Sequence, residues 1–332
     1  MIDRSLPLID LHRHLDGSVR LATVLELARE HGIPLPAGDL EALRPHVEVQ
    51  GQAPGLMEFL ARFRWLLEVM VSPEACRRIA YENVEDAHRE GIAYLELRFS
   101  PWFMAERHGL DPRAVTEAIT DGIAAGRRDF GVGVGLIGIL SRTYGPAIAA
   151  QELDAILSQR EQIVALDLAG DEVAFPAALF AGHFRRARDA GLRVTVHAGE
   201  AAGSASIWSA LRDLGAERIG HCVRAFEDPL LVEHLRERGI GIEANLTSNV
   251  QTSSVPSYAA HPLKRYLDAG LIANINTDDP AISGIDLRHE FEVAAPLAGL
   301  NAGDTRRMQE HALEMAFVSA TTREELRRGS DI

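Results

Sequence analysis

Short runs of β-branched and leucine-rich residues alternate with amphipathic stretches along nearly the whole chain. The strand-like runs cover residues 6–15, 93–100, 132–141, 163–169, 193–198, 218–222, 241–246 and 272–277. Between them, apolar positions recur at helical spacing. The clearest case runs from Ser72, a predicted N-cap, through Pro73 at the first helical position to Gly91 as the stop signal. Its apolar positions are Ala75, Cys76, Ile79, Ala80, Val84 and Ala87. Residues 177–190, before Gly191, and 229–238, before Gly239, repeat the pattern. Strict alternation of strand and helix predicts a parallel sheet, and eight such units predict a closed (β/α)8 TIM barrel. No linker, low-complexity tract or internal repeat interrupts residues 1–332, which read as one domain. Residues 20–91 hold more helix than one crossover needs. Leu56, Phe59, Leu60 and Phe63 recur there at helical spacing, either as a core-facing stripe or as an apolar lid over the barrel mouth.

Composition narrows the class. The 332 residues are 46% hydrophobic, enough for a large core, and the formal net charge is −14 with a pI near 5.4. So acidic a chain opposes binding to nucleic acid or to an anionic membrane. A small neutral or cationic substrate is expected. Cys76 and Cys222 are the only cysteines, so there is no disulfide framework. Residues 1–4 carry no apolar signal region, and no stretch reaches the ~18 apolar residues of a membrane span. A cytoplasmic protein is expected.

Active sites of such barrels sit at the C-terminal ends of the strands, and the ends of these runs carry suitable chemistry. His12 and His14 close the first run, and residues two apart in a strand point the same way. His197 ends the fifth run, His221 the sixth and Asp278 the eighth. Three nitrogens and one carboxylate oxygen, from His12, His14, His197 and Asp278, suit a zinc ion that keeps a position free for water. Glu200 lies three residues beyond His197, and Ala198-Gly199 allow the chain to turn so that both side chains enter one pocket. Glu200 is then a general acid/base, or else an acid favoured by the dipole of a helix over 201–214. His221 either orients a water or is a buried structural histidine. In Asp278-Asp279-Pro280 one aspartate could cap a helix with proline at its first position. Alternatively, one binds metal and the other faces substrate. Gly170, in Asp167-Leu168-Ala169-Gly170-Asp171-Glu172, is either a loop glycine or a point where substrate meets backbone.

Two absences discriminate. Lys264 is the only lysine, and it lies in a helical stretch away from any strand end. No lysine is therefore placed to be carbamylated between two ions, which favours a single metal. His46-Val47-Glu48 matches half of the nucleobase-deaminase zinc signature, but no Cys-x-x-Cys follows.

Taken together, His12–Gly17, Asp167–Glu172, Val196–Glu200, Ile219–His221 and Asn276–Pro280 resemble the adenosine deaminase family, of bacterial type, within the metal-dependent amidohydrolase superfamily. The resemblance spans essentially the whole chain and includes Arg98-Phe99-Ser100-Pro101 and Leu246-Thr247-Ser248-Asn249. It implies one Zn2+ per chain on His12, His14, His197 and Asp278. It also implies Glu200 as proton shuttle to purine N1, His221 orienting the attacking water and Asp279 contacting that water and N7. The Gly170 N–H would bond N3, and Asp16 the ribose 5′-hydroxyl. Relatives acting on adenine or aminofutalosine usually carry Glu at the Asp16 position, and the shorter Asp leaves room for a ribose. Three positions depart from the family pattern: Cys222 for Gly, Asn245 for Cys and Arg64 for Asp.

The expectation is hydrolytic deamination of adenosine and 2′-deoxyadenosine to inosine and 2′-deoxyinosine with release of ammonia. The alternatives are a deaminase of another 6-aminopurine, such as adenine or aminodeoxyfutalosine, and a purine-binding protein without turnover. The intact Glu200 and ligand set argue against the last. Oligomeric state is left open.

Overall fold

The computed structural model describes residues 1–53 and 55–329. Its centre is an eight-stranded parallel sheet in the order β1 to β8, each strand beside its sequence neighbour. The strands are β1 (Ile9–His14), β2 (Tyr94–Phe99), β3 (Gly133–Ser141), β4 (Ile163–Ala169), β5 (Arg193–Ala198), β6 (Arg218–His221), β7 (Gly241–Ala244) and β8 (Ile272–Ile275). The sheet closes just beyond β8. The His14 N–H donates to the Asp278 carbonyl at 2.8 Å, and the Asp278 N–H donates to the His12 carbonyl at 2.8 Å. The expected (β/α)8 barrel is therefore observed, and its last seam is made by three of the predicted metal ligands.

The later strands are shorter than the apolar runs that predict them. His221, Cys222 and Asp278 adopt φ of 62°, 60° and 63°. That left-handed conformation cannot continue a strand, so β6 stops at His221; β8 ends at Ile275, three residues before Asp278. The positive φ of Cys222 also gives a physical reason for glycine at this position in the family pattern. β7 stops because Asn245 becomes the N-cap of the helix Leu246–Gln251.

The insertion after β1 forms the helices Leu21–His31, Leu40–Val47, Leu56–Leu60, Arg64–Glu68 and Pro73–Glu90. The last has the predicted ends: the Ser72 hydroxyl accepts from the Ala75 N–H at 3.2 Å, and Gly91 closes it at φ 75°. The stretch predicted as helix over 201–214 divides into an α-helix, Ser204–Ser209, and a wider π-turn, Ala210–Leu214. No helix among the described residues is long and apolar enough to cross a membrane.

The barrel interior is not wholly apolar. Arg98 on β2 pairs with Asp167 on β4 at 2.7 Å and with Glu243 on β7 at 2.9 Å. Arg218 on β6 pairs with Glu243 at 2.7 Å and also contacts Glu96. All five side chains are almost completely buried. Such charges are tolerated only as a paired, hydrogen-bonded set, and this set lies directly beneath the strand ends that carry the candidate site.

Candidate active site

The network beneath fixes two of the histidines. Glu243 bonds His12 Nδ1 at 2.7 Å, and Asp167 bonds His197 Nδ1 at 2.9 Å. A carboxylate can only accept there, so each Nδ1 carries the proton and each Nε2 presents a lone pair. Burial opposes ionisation of Glu243, but Arg98 and Arg218 outweigh it and hold the carboxyl well below its ordinary range. For Asp167, His197 and Arg98 likewise outweigh burial. Burial pushes His197 down to about 4, which keeps it neutral.

The lone pairs converge. His12 Nε2 lies 3.1 Å from His197 Nε2, and His14 Nε2 lies 3.2 Å from the same atom. Asp278 Oδ1 lies 3.1 Å from His12 Nε2 and 3.3 Å from His14 Nε2. Two bare nitrogens at that separation repel unless a cation lies between them. Four ligands held about 2.0–2.1 Å from a zinc ion in tetrahedral geometry stand about 3.3 Å apart. The donor set and its spacing fit such an ion. His221 also falls within the cluster of potential ligands formed with His12, His197 and Asp278. Its Nε2, however, is 3.8 Å from Asp278, and its Nδ1 is occupied by Asn249 at 2.8 Å and Asn245 at 3.3 Å. The shorter distances favour His14 over His221 as the fourth ligand.

Around this cluster lies a cavity of about 200 Å³ lined by His14, Asp16, Gly170, Glu200, His221 and Asp279, with Asp278 and His197 at its floor. Glu200 enters it because Gly199 turns the chain at φ 71°. The Glu172 carboxylate holds that turn, accepting from the N–H groups of Gly199, Glu200, Ala201 and Ala202. Glu200 is therefore not a helix-capping acid. Burial, then Asp278, Glu172 and Asp279, raise its pKa well above the usual carboxylate value. Burial and Asp278 do the same to Asp279, and burial raises Asp16 to about 6. Asp279 occupies space that only glycine leaves free: a Cβ on Gly17 would stand 1.8 Å from Asp279 Oδ1. Asp279 begins the turn Pro280–Ser283, but its side chain makes no capping bond. Instead Oδ1 of Asp279 and Oδ1 of Asp16 are buried without a protein partner, as expected of groups kept for a ligand. Gly170 has φ 109°, and its backbone lines the cavity.

The opposite wall is apolar. Leu56, Phe59, Leu60 and Phe63 all line the cavity, and Phe59 and Phe63 are also buried against the core. The stripe is thus both core and cover. Arg64 lies outside the cavity, over the Trp65 ring at 4.7 Å. Lys264 sits on the helix Leu263–Asp268, paired with Asp268, and does not line the cavity. Sequence reasoning missed Glu243, His261 and the roles of Asp167, Arg98 and Asn249. Charged residues inside otherwise apolar runs, such as Glu96 and Arg98 two apart on β2, were the available signal.

Comparison with known proteins identifies a family. The chain matches the family model for adenosine deaminase over residues 7–331. It is 59% identical to an adenosine deaminase of Edwardsiella ictaluri over 98% of each chain. Among solved structures it resembles an adenine deaminase from Arthrobacter aurescens, with a TM-score of 0.90 at 28% identity over 97% of each chain. It also resembles a zinc-bound amidohydrolase from Burkholderia ambifaria, with a TM-score of 0.88 at 26% identity over 98% of this chain and 89% of that one. On its sequence, its barrel and the convergence of these side chains, the chain belongs to the adenosine deaminase family.

Proposed function

We propose that this protein hydrolytically deaminates adenosine and 2′-deoxyadenosine to inosine and 2′-deoxyinosine, releasing ammonia. The observation that carries the reading is a buried carboxyl, Glu200, sharing one small cavity with a cluster of nitrogen and carboxylate donors. His12, His14, His197 and Asp278 would hold one zinc ion per chain. When bound, such an ion lowers the pKa of water toward ~7 and so supplies a nucleophile at neutral pH.

The remaining chemistry belongs to the chain's own residues. Glu200 gives its proton to purine N1, which draws electron density from C6 and opens it to attack by the water oxygen. The resulting Glu200 carboxylate takes one of the water's protons and passes it to the exocyclic amine, so that C6–N6 cleavage releases ammonia; the proton left on the C6 oxygen then returns to Glu200, giving the C6=O, N1–H product and the starting enzyme. His221, 3.7 Å from Glu200, and Asp279 flank the attacking oxygen. Asp279, held protonated, donates to N7, and the Gly170 N–H donates to N3. Asp16 accepts from the ribose 5′-hydroxyl, and the wall from Leu56 to Phe63 excludes water from the purine.

The similarity in fold to an adenine deaminase favours one competing reading, in which the free base is the substrate. Asp16→Ala separates the two. A hydrogen bond to a charged group is worth roughly 1.5–3 kcal/mol. The variant should therefore lose on the order of tenfold or more in kcat/KM on adenosine and deoxyadenosine alike. A 5′-deoxy analogue should lose much less. An equal loss on every substrate would show that Asp16 only supports the turn at Gly17.

A further inference from the structure

His221 is held from behind by a chain of hydrogen bonds with one possible direction. The backbone N–H of Leu263 donates to His261 Nδ1 at 3.1 Å. An amide N–H cannot accept, so Nδ1 is bare and the His261 proton sits on Nε2. Burial pushes His261 down to about 3, so the ring carries no second proton. His261 Nε2–H then donates to Asn249 Oδ1 at 3.1 Å. That fixes the orientation of the Asn249 amide and turns its NH2 group to His221 Nδ1 at 2.8 Å. The Asn245 amide donates to the same nitrogen at 3.3 Å. His221 Nδ1 is therefore an acceptor, and its proton lies on Nε2, on the side where Glu200 Oε2 stands at 3.7 Å and Asp278 Oδ2 at 3.8 Å. The opposite tautomer would put two N–H groups against each other behind the ring. It would also aim a bare lone pair at the Asp278 carboxylate in front. His261 and Asn249 are almost fully buried, and neither lines the cavity.

We infer that His261 and Asn249 are positioning residues that lock His221 in its Nε2–H tautomer, making it a hydrogen-bond donor to the reacting oxygen and barring it from acting as the base. The inference rests on the deaminase reading for the identity of that oxygen. It assigns the water's proton to Glu200. It also gives a use to Asn245, which departs from the family pattern and adds a second donor to Nδ1.

The test is a long-range 1H–15N correlation spectrum of the zinc-loaded protein labelled with 15N-histidine. His221 is assigned as the ring system lost in His221→Gln. The wild-type ring should show a protonated Nε2 and a bare Nδ1. Asn249→Asp places an acceptor behind the ring and should move the proton to Nδ1. Removing one donor aimed at developing charge typically costs about 10²–10³-fold in kcat. A drop of that order is expected in Asn249→Asp, with KM within a few-fold and zinc content unchanged. His261→Gln can still donate to Asn249 and should recover most of the kcat lost in His261→Leu. A wild-type ring protonated on Nδ1 would overturn the inference, and that spectrum decides the matter even if a variant fails to fold. Wild-type kcat in an Asn249→Asp protein with a switched tautomer would overturn it as well. Failure of the wild-type protein to turn over adenosine would instead remove the deaminase reading, and the spectrum reads the tautomer without it.

Discussion

Glu200→Gln is expected to abolish most turnover while leaving metal content and substrate affinity in place. Glutamine has nearly the shape of glutamic acid and keeps hydrogen-bonding groups in the cavity, but it has no acidic proton to give to N1. The backbone of residue 200 is held by Glu172 at 3.1 Å, independently of the side chain, so the turn should survive the substitution. A positioned proton donor is typically worth ~10²–10⁴-fold, and the loss should fall in kcat rather than in KM. Steady-state kinetics, with zinc measured by elemental analysis on the same preparation, give the answer. A variant with near-wild-type kcat would take Glu200 out of the reaction.

Arg98→Met should strike the protein from below the site. Arg98 never reaches the cavity lining, yet it holds both Asp167 and Glu243, at 2.7 and 2.9 Å. Those carboxylates in turn fix the Nδ1 protons of His197 and His12. Methionine fills much of the volume but leaves two buried negative charges without their shared partner. Removing one member of a buried ion pair costs about 3–5 kcal/mol of stability. Loss of partners behind metal-binding histidines typically weakens metal binding about 10–100-fold. Chemical denaturation and zinc titration against a competing chelator should show both effects, with one zinc per chain at saturation. A variant with wild-type stability and wild-type zinc affinity would mean that the two carboxylates hold their histidines without Arg98.

The barrel and the face carrying the site were legible in the sequence because each candidate side chain ends a strand-like run. His12 and His14 share a side through the two-residue period of a strand. Gly199 marks the turn that brings Glu200 back toward His197. The strand ends were less legible. His221, Cys222 and Asp278 take left-handed backbone conformations, and none of them is a glycine that would signal it. The second layer was hidden for a different reason. Glu243 meets His12, and His261 meets Asn249, only once the sheet has closed and the loop after β7 has folded over it. A strand run containing a charge, such as Glu243 between Ile242 and Ala244, indicates that the charge must find a partner inside the barrel. It does not say which one. The stripe from Leu56 to Phe63 could not be assigned to core or lid from its period because the same rings do both.

The most direct test of the account compares adenosine and adenine as substrates for the purified, zinc-loaded wild-type protein, following the ultraviolet change on deamination together with ammonia. The cavity bounded by Asp16, Gly170, Glu200 and Asp279 predicts conversion of adenosine to inosine with one ammonia released per inosine formed, at a kcat/KM well above that for adenine. Turnover of adenine with none of adenosine, or binding of adenosine without ammonia release, would contradict it.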